Sequence, residues 1–217
     1  MILRYLGHDL FTLTLTDGTL IVTDPYQGLY QYPDRTIAAD ICTVSHHHAD
    51  HDSVSILQGD PIIIDTEGIH HPKNGICITG ISTFHDEAQG AKRGTNLVFV
   101  IEVEGLRFVH LGDLGHLLSP AQISAIGQPD ILFLPVGGNY TIDAKTALCV
   151  MQSLSPKVTI PMHYRTHACE TMPIAPLTDF LGLLPTPPPA PLALCRITAE
   201  DIAERPPCLV MVTPEGY

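Results

Sequence analysis

The segment Ser45-His-His-His-Ala-Asp-His51 concentrates side chains that bind metal ions. It directly follows an apolar stretch that is typical of a buried strand. Alternate residues of an extended chain point to the same side, so His46 and His48 are placed to converge on one cation. Asp50 and His51 come where the chain is expected to turn into a helix, and they can face a second cation nearby. Donors of these types favour Zn, Mn, Fe or Co.

Three further residues with metal-binding side chains lie just past apolar stretches that are typical of buried strands. They are His85, Asp113 and His163. Functional side chains gather in the loops at one edge of a sheet. We therefore expect these residues to meet the histidine-rich segment there. The candidate metal ligands are His46, His48, Asp50, His51, His85, Asp113 and His163.

Other polar residues near these positions are candidates for catalysis or substrate contact. His116 follows Asp113 closely and could donate a proton or contact the substrate, or else cap a helix at the surface. An arginine near the metals would suit a phosphate or carboxylate on the substrate. The candidate substrate contacts are Arg93, Asn96, Tyr140 and Arg165. A surface or structural role is the competing interpretation for each of them.

Three residues are expected to support the site rather than to form it. Asp24 follows a predicted strand and could orient a ligand histidine through its other ring nitrogen, although it could also simply close a turn. His8 could likewise support the ligands or serve packing. His47 lies between two proposed ligands and should point away from them, which favours a structural role.

The apolar pattern predicts the elements that would position these side chains. Period-two alternation over Phe11–Thr16, the turn residues Asp17-Gly18 and a return strand over Thr19–Thr23 predict an antiparallel hairpin. Further strands are predicted at 40–44, 61–64, 76–81, 97–104, 107–111, 131–136, 158–161, 192–197 and 208–212, and helices at 53–57, 119–126, 143–152 and 177–184. The proline-rich segment 185–191 predicts an extended connector. The predicted elements are mostly strands in the first half of the chain, and strands alternate with helices in the second half. This order indicates stacked sheets with helices outside.

Composition narrows the class of protein. A chain of 217 residues with 45% hydrophobic residues suits one folded domain, residues 1–217. The formal net charge of -12 disfavours nucleic acid as a partner. No apolar run is long enough for a membrane span, and no signal peptide is recognisable. The six cysteines are scattered, which is typical of reduced thiols. We therefore expect a cytoplasmic protein without a membrane partner. The 12 histidines exceed the 11 lysines and arginines, which again favours metal.

The complete set of motifs resembles the metallo-β-lactamase fold superfamily. Its signature is His-x-His-x-Asp-His, then a separate histidine, an aspartate after a glycine, and a final histidine, and all are present in order. Additional matches resemble the branch of small bacterial metal-dependent hydrolases related to ascorbate-6-phosphate lactonase. They are Gly7-His8, Asp24-Pro25, Arg93-Gly-Thr-Asn96, Gly112-Asp113, Pro135-Val-Gly-Gly138 and Pro161-Met-His-Tyr164. The segment 185–191 matches no part of this pattern.

The resemblance implies a fold, a set of roles and a reaction. The fold would be an α/β four-layer αββα sandwich. His46, His48 and His85 would bind one divalent cation, Asp50, His51 and His163 a second, and Asp113 would bridge them. The cations would be Zn or Mn, with Fe or Ni as further options. Together with the carboxylates they would activate water to attack an ester, a lactone or a phosphodiester of a small molecule.

Two other functions remain open at the level of sequence. The first is a non-hydrolytic protein of the same fold that carries redox iron, although no second domain for an electron carrier is evident. The second is a nuclease-type phosphodiesterase, which the acidic charge disfavours. A homo-oligomer is also left open.

Overall fold

The computed structural model describes residues 1–186, 190 and 195–214. Its strands are β1 (Ile2–Gly7), β2 (Leu10–Thr14), β3 (Leu20–Thr23), β4 (Ile37–Ala38), β5 (Ile41–Thr43), β6 (Leu57–Gln58), β7 (Ile62–Ile64), β8 (Gly68–His70), β9 (Ile76–Phe84), β10 (Thr95–Val103), β11 (Leu106–His110), β12 (Ile131–Pro135), β13 (Val158–Met162), β14 (Cys195–Arg196) and β15 (Cys208–Leu209). The α-helices are α1 (Pro120–Ile126), α2 (Ala144–Leu154), α3 (Leu177–Leu181) and α4 (Ala199–Ala203).

The helices begin where short polar side chains satisfy their first backbone amides. Ser119 accepts a hydrogen bond from the amide of Gln122, whose side chain returns to the Ser119 amide, so α1 starts with a capping box and a proline at its first position. Asp143 caps α2 by accepting from the amide of Thr146. Both helix starts agree with the sequence prediction.

Several predicted elements differ from the observed ones. The segment predicted as a helix at 53–57 forms a single 3-10 turn, Val54–Ile56, because Gly59 and Pro61 leave it no room to continue. The first strand, β1, was not predicted, since its alternation is interrupted by apolar residues on both faces. Most of the proline-rich connector 185–191 and residues 192–194 of a predicted closing strand lie outside the described residues.

Two sheets stack face to face around the main core. The first has the strand order β14-β1-β2-β3-β5-β7, and the second has the order β15-β13-β12-β11-β10-β9-β8. Fully buried aromatic side chains from both sheets meet between them, with Tyr5 stacked on Phe11 at 4.5 Å and Phe11 against Phe133 at 4.3 Å between ring centroids. The burial of these rings accounts for the contact between the two layers.

The outer faces of the sheets are covered differently. Helices α1, α2 and α3 pack on the second sheet around Val150 and Phe180. The first sheet is covered by loops that bury Tyr26, Tyr32 and Ile174. The mixed α/β class with two sheets and outer helices is therefore confirmed, and the outer layer over the first sheet is thin. In the part of the chain described, no helix is both long and apolar enough to cross a bilayer.

Strand directions bring the candidate site residues to one edge. Strands β3 and β5 run parallel, as do β11, β12 and β13, and β9 is antiparallel to β10, which is antiparallel to β11. The carboxyl ends of β3, β5, β9, β11 and β13 consequently share an edge of the sandwich. Asp24, the 46–51 segment, His85, Asp113 and His163 follow these ends. The turn between β1 and β2 reaches the same edge.

Candidate metal centre

The carboxylate of Asp113 lies at the centre of the candidate site. Its Oδ2 atom is 3.2 Å from Nε2 of His85. Its Oδ1 atom is 3.4 Å from Nε2 of His163 and 3.5 Å from Nε2 of His51. One carboxylate thus faces histidines that come from three different loops. This is the arrangement expected of a carboxylate that is shared between two neighbouring cations.

The imidazoles of His46, His48 and His85 form a compact group beside Asp113. One nitrogen from each ring lies within 4.8 Å of the others. The ring of His46 is 4.6 Å from both His48 and His85 between centroids, and the rings cross nearly at right angles. His46 and His85 are buried, and His48 is exposed. The alternation predicted for His46 and His48 therefore brings both rings to the same place.

Buried nitrogen and oxygen atoms at this site lack hydrogen-bond partners among the described residues. They are Nε2 of His46, Nε2 of His51, Nδ1 of His85, both ring nitrogens of His163 and Oδ1 of Asp113. An unpaired buried polar atom costs free energy, and several converging on one point call for a common partner. A set of imidazole and carboxylate donors fits divalent transition metals. The residues present therefore fit the metal that the motif implies.

The electrostatics of the site keep His46, His85 and Asp113 in the forms that coordinate metal, whereas the carboxylates around His51 raise its pKa. Burial lowers the pKa of His46 to about 3 and also lowers that of His85, so both rings are neutral at neutral pH. Burial raises the pKa of Asp113, but the neighbouring His163 and His51 outweigh it and hold the value well below its ordinary range. Asp113 is accordingly ionised.

Asp24 holds His51 from the side away from Asp113. Its Oδ2 atom lies 3.1 Å from Nδ1 of His51 and accepts a hydrogen bond from the Ser45 hydroxyl at 2.6 Å, and its Oδ1 atom accepts from the Ser45 amide at 2.8 Å. Such a contact fixes the ring orientation and leaves Nε2 free for a metal. The structure therefore places Asp24 where a residue that orients a ligand histidine should lie.

The turn between β1 and β2 adds two residues to the site. Nε2 of His8 lies 3.2 Å from Oδ2 of Asp50, and its ring is 4.2 Å from that of His163 between centroids. Asp9 is fully buried, and its Oδ2 atom is 3.6 Å from Nδ1 of His51. The sequence interpretation missed Asp9. A carboxylate beside a histidine in a turn that ends at the ligand edge was the available signal.

The pKa values of the two carboxylates in this region, Asp9 and Asp50, are shifted in opposite net directions. It raises the pKa of Asp9, and the charge of Asp113 adds to this, so the value lies well above the ordinary range. Burial also opposes ionisation of Asp50, but the hydrogen bond from His8 and the charge of His51 lower the pKa of Asp50 below its ordinary value.

A cavity of about 450 Å³ opens onto the metal cluster. His48, Asp50, His85 and Asp113 form its floor. Its walls are formed by Gln27, Gly28, Leu29, Tyr30, Ala49, Arg93, Tyr140 and Met172. The guanidinium carbon of Arg93 lies 5.5 Å from the centroid of the Tyr140 ring, a cation–π contact that holds the positive charge beside the cavity. A small molecule would fit this space.

Arg93 belongs to a loop that one carboxylate organises. Asp86 accepts hydrogen bonds from the backbone amides of Ala88, Gly90, Lys92 and Arg93 at 2.7–2.9 Å. Burial opposes ionisation here, but these amides lower the pKa of Asp86 to about 2. The position of Arg93 next to the metal cluster is therefore set by the backbone of this loop.

Three residues proposed from the sequence do not line the cavity. The side chain of Asn96 is buried and donates to Thr83 Oγ1 and to the carbonyl of Leu111. His116 lies outside the cavity, where its Nε2 accepts from the Phe84 amide. Arg165 is exposed, forms a backbone bridge with Pro176, and is not among the residues that line this cavity. The placement of Asn96 corrects its expected contact with substrate, whereas substrate contact by Arg165 and catalysis by His116 stay predictions.

His47 points away from the cluster, as expected. Its ring is exposed, and its Nδ1 atom lies 2.7 Å from Oδ2 of Asp52. His110 is buried, and its Nε2 atom lies 3.0 Å from the carbonyl oxygen of Asp9.

Comparison with known proteins identifies the family. The model of the beta-lactamase superfamily domain matches residues 2–163. A UPF0173 metal-dependent hydrolase of Carboxydothermus hydrogenoformans is 31% identical over 195 residues, which cover 76% of this chain and 85% of the relative. A relative of the same name from Methanospirillum hungatei is 27% identical over 190 residues, covering 76% and 84% of the two chains.

Solved structures agree with this result. A candidate zinc-dependent hydrolase of the metallo-β-lactamase superfamily from Thermotoga maritima matches with a TM-score of 0.78 and 36% identity, covering 98% of this chain and 100% of that one. Igni18, a metallo hydrolase from Ignicoccus hospitalis, matches with a TM-score of 0.63 and 24% identity over 83% and 88% of the chains, and it supports the fold alone. The chain therefore belongs to the beta-lactamase superfamily, among the relatives of the UPF0173 metal-dependent hydrolases.

Proposed function

We propose that this protein is a hydrolase with two divalent cations that acts on an ester, lactone or phosphodiester bond of a small anionic molecule. The observation that carries the proposal is the position of Asp113 between His85 on one side and His51 and His163 on the other. Relatives named metal-dependent hydrolases support hydrolysis in general.

The ligands divide into two sets around Asp113 in this proposal. His46, His48 and His85 hold the first cation, and their clustered nitrogens support this assignment. Asp50, His51 and His163 hold the second. When bound, two such cations supply Lewis acidity and lower the pKa of water towards about 7. Zn or Mn suits this mixed set of nitrogen and oxygen donors.

The side chains of the protein orient a metal ligand and accept a proton from water. Asp24 fixes the ring of His51, so its Nε2 atom faces the cluster. Asp50 lies partly open to the cavity with a lowered pKa, and it is therefore an ionised acceptor next to the position where a substrate bond would break. Asp50 is the residue best placed to take up a proton from water, with His8 holding its Oδ2 atom.

The cavity favours a small substrate that carries a negative group. Arg93 supplies the one arginine or lysine charge among the described residues that line it. A phosphate or carboxylate suits a guanidinium that is held in place by an aromatic ring. Leu29, Tyr30 and Met172 provide an apolar wall for the rest of the molecule. The net charge of -12 argues against a long polyanion such as RNA as substrate.

Elemental analysis of the purified protein tests the metal centre. We expect about two equivalents of Zn or Mn in the wild type and a clear loss in Asp113→Ala, because this variant removes the shared carboxylate. Asp40→Ala, a change at a half-exposed carboxylate paired with Lys73, is the matched control and should keep both equivalents. Far-UV circular dichroism verifies that both variants are folded.

A substrate panel then tests the reaction. The metal-loaded protein is assayed on small esters, lactones and phosphodiesters, each in an anionic and a neutral form. Turnover that depends on metal and prefers the anionic form supports the proposal. A protein that binds no metal after reconstitution with several cations, or that is inert across the panel when loaded, contradicts it.

A further inference from the structure

The carboxylate of Asp9 is buried beside the metal cluster without a hydrogen-bond donor among the described residues. The residue is 0% exposed, and among the described residues neither Oδ1 nor Oδ2 receives a hydrogen bond, although the carboxylate faces that of Asp113 and lies 3.6 Å from Nδ1 of His51. A buried carboxylate that carries its charge without a donor is less stable than one that is paired. Such a group calls for a compensating positive charge.

The backbone fixes Asp9 in this place. Its carbonyl accepts a hydrogen bond from the Thr23 hydroxyl at 2.8 Å and lies 3.0 Å from Nε2 of His110. The Thr23 hydroxyl in turn accepts from the amide of Phe11 at 3.0 Å. Strands β1, β2, β3 and β11 thus hold the turn from both sides.

His51 does not supply the missing donor. Its Nδ1 atom lies 3.1 Å from Oδ2 of Asp24 and 3.6 Å from Oδ2 of Asp9, so the single proton on this nitrogen is engaged by Asp24. One donor atom from each of His8, Asp9, His51 and His163 nevertheless lies within 4.8 Å of the others. Asp9 therefore lies among metal-binding atoms and receives no hydrogen bond from any described residue.

We infer that Asp9 is an additional carboxylate ligand of the second cation, beside His51 and His163. The inference rests on the proposed two-cation centre and adds a ligand that the metal-binding motif of the sequence does not contain. With Asp9, Asp50 and Asp113 contributing oxygen atoms, the second position becomes richer in carboxylate than the first. Oxygen donors favour harder cations such as Mn²⁺ over Zn²⁺. The two positions therefore differ in metal preference.

The test is a titration of the metal-free protein, monitored by isothermal titration calorimetry. Mn²⁺ and Zn²⁺ are titrated in separate experiments. Asp9→Asn keeps the side-chain volume and removes the charge, and Asp9→Ala removes the ligand altogether. Asp40→Asn is the matched control at a half-exposed carboxylate. We expect both Asp9 variants to retain the first equivalent and to bind the second Mn²⁺ at least ~100-fold more weakly, since even indirect partners of metal ligands contribute 10–100-fold. The loss should be smaller with Zn²⁺.

Thermal unfolding provides a readout that does not depend on enzymatic activity. Without metal, Asp9→Asn should show one cooperative unfolding transition, as the wild type does, because the substitution keeps the size and shape of the buried side chain. On addition of Mn²⁺, its melting temperature should rise less than that of the wild type. A variant that failed to fold would show neither behaviour, and Asp9→Ala repeats the measurement with a different side chain.

The outcomes separate the inference from the function on which it rests. Two equivalents bound by Asp9→Asn and Asp9→Ala with wild-type Kd values would overturn the role of Asp9 and leave the two-cation centre intact. A wild-type protein that binds fewer than two equivalents of either metal would contradict the centre itself. Loss of the second equivalent in the Asp9 variants alone, with Asp40→Asn unchanged, establishes the additional ligand.

Discussion

The side-chain oxygen of Asn96 accepts a hydrogen bond from the backbone amide of Asp113 at 2.9 Å. The same carboxamide donates to Thr83 and to the carbonyl of Leu111, so it connects strands β9, β10 and the end of β11 directly behind the central carboxylate. Asn96 therefore positions Asp113 without touching the cavity. Its contribution is to hold the backbone from which the shared ligand projects.

Replacement of Asn96 by alanine should weaken both the fold and the metal site. The amide of Asp113, Thr83 Oγ1 and the Leu111 carbonyl each lose a buried partner, which costs about 1–3 kcal/mol per unsatisfied group. We expect a lower free energy of unfolding in urea and weaker metal binding in the same variant. Unchanged metal affinity in a destabilised Asn96→Ala protein would show that Asp113 is held by other contacts.

The exposed Arg165 is a matched control for the role of Arg93. Arg93→Ala should lower kcat/KM for anionic substrates about 10- to 100-fold, because a hydrogen bond to a charged group contributes about 1.5–3 kcal/mol. Neutral analogues should be affected much less. Arg165→Ala removes the same charge outside the cavity and should leave both values near those of the wild type. Equal losses for both variants would mean that general charge rather than anchoring is responsible.

Gly115 provides a test of the position of His85. A Cβ atom at residue 115 would collide with the backbone of His85 and Asp86. Gly115→Ala should therefore displace this loop, at a cost of about 1–3 kcal/mol in stability, and should reduce metal binding. Gly182→Ala, at the end of α3 where a Cβ atom meets only Thr178 and Asp179 at 3.3 Å or more, is the control with little effect. The measurement is metal stoichiometry together with thermal unfolding.

Asp24 tests whether orientation of a ligand contributes to affinity. Asp24→Asn keeps the shape of the side chain but weakens its hold on Nδ1 of His51. Metal affinity should fall about 10- to 100-fold, the range found for residues that orient metal ligands. The variant must be compared with Asp40→Asn, which changes the same groups at a half-exposed site. Wild-type affinity in Asp24→Asn would assign the orientation of His51 to packing alone.

Removal of metal should destabilise the protein. A ligand that binds only the folded state adds about 2.7 kcal/mol when its concentration is 100 times Kd. Dialysis against a chelator should lower the melting temperature, and addition of Mn²⁺ or Zn²⁺ should restore it. A melting temperature that is the same with and without metal, in a protein that elemental analysis shows to be loaded, would contradict specific binding to the folded state.

Sequence reasoning located the cluster of candidate metal ligands, because the type of a side chain and its position after a strand can both be read from the local sequence. His46 and His48 share a face in any extended chain, and His85 and His163 each follow a strand whose direction the topology fixes. The same reasoning misplaced residues whose side chains depend on loop conformation. Asn96, which was expected to contact substrate, is instead buried, because the loop after β11 presents the Leu111 carbonyl and the Asp113 amide to its side chain.

Asp9 was missed for a related reason. In the sequence it lies in a turn, where aspartate is common and needs no special explanation. Its importance appears only when β1, β2 and β3 bring the turn to the metal edge and bury it against residues more than 40 positions away. The turn propensity of aspartate can be read from the local sequence. The burial of the Asp9 side chain depends on the assembled fold.

The two sheets of the sandwich contribute opposite halves of the ligand set. The segment 46–51 leaves the first sheet, whereas His85, Asp113 and His163 leave the second. Bound cations would therefore link the two layers, in addition to the apolar contacts and the few hydrogen bonds that join them. Metal binding should therefore oppose separation of the two sheets, which would expose the core to proteases. Metal-loaded and metal-free molecules should thus differ in lifetime inside a cell, independently of any difference in catalysis.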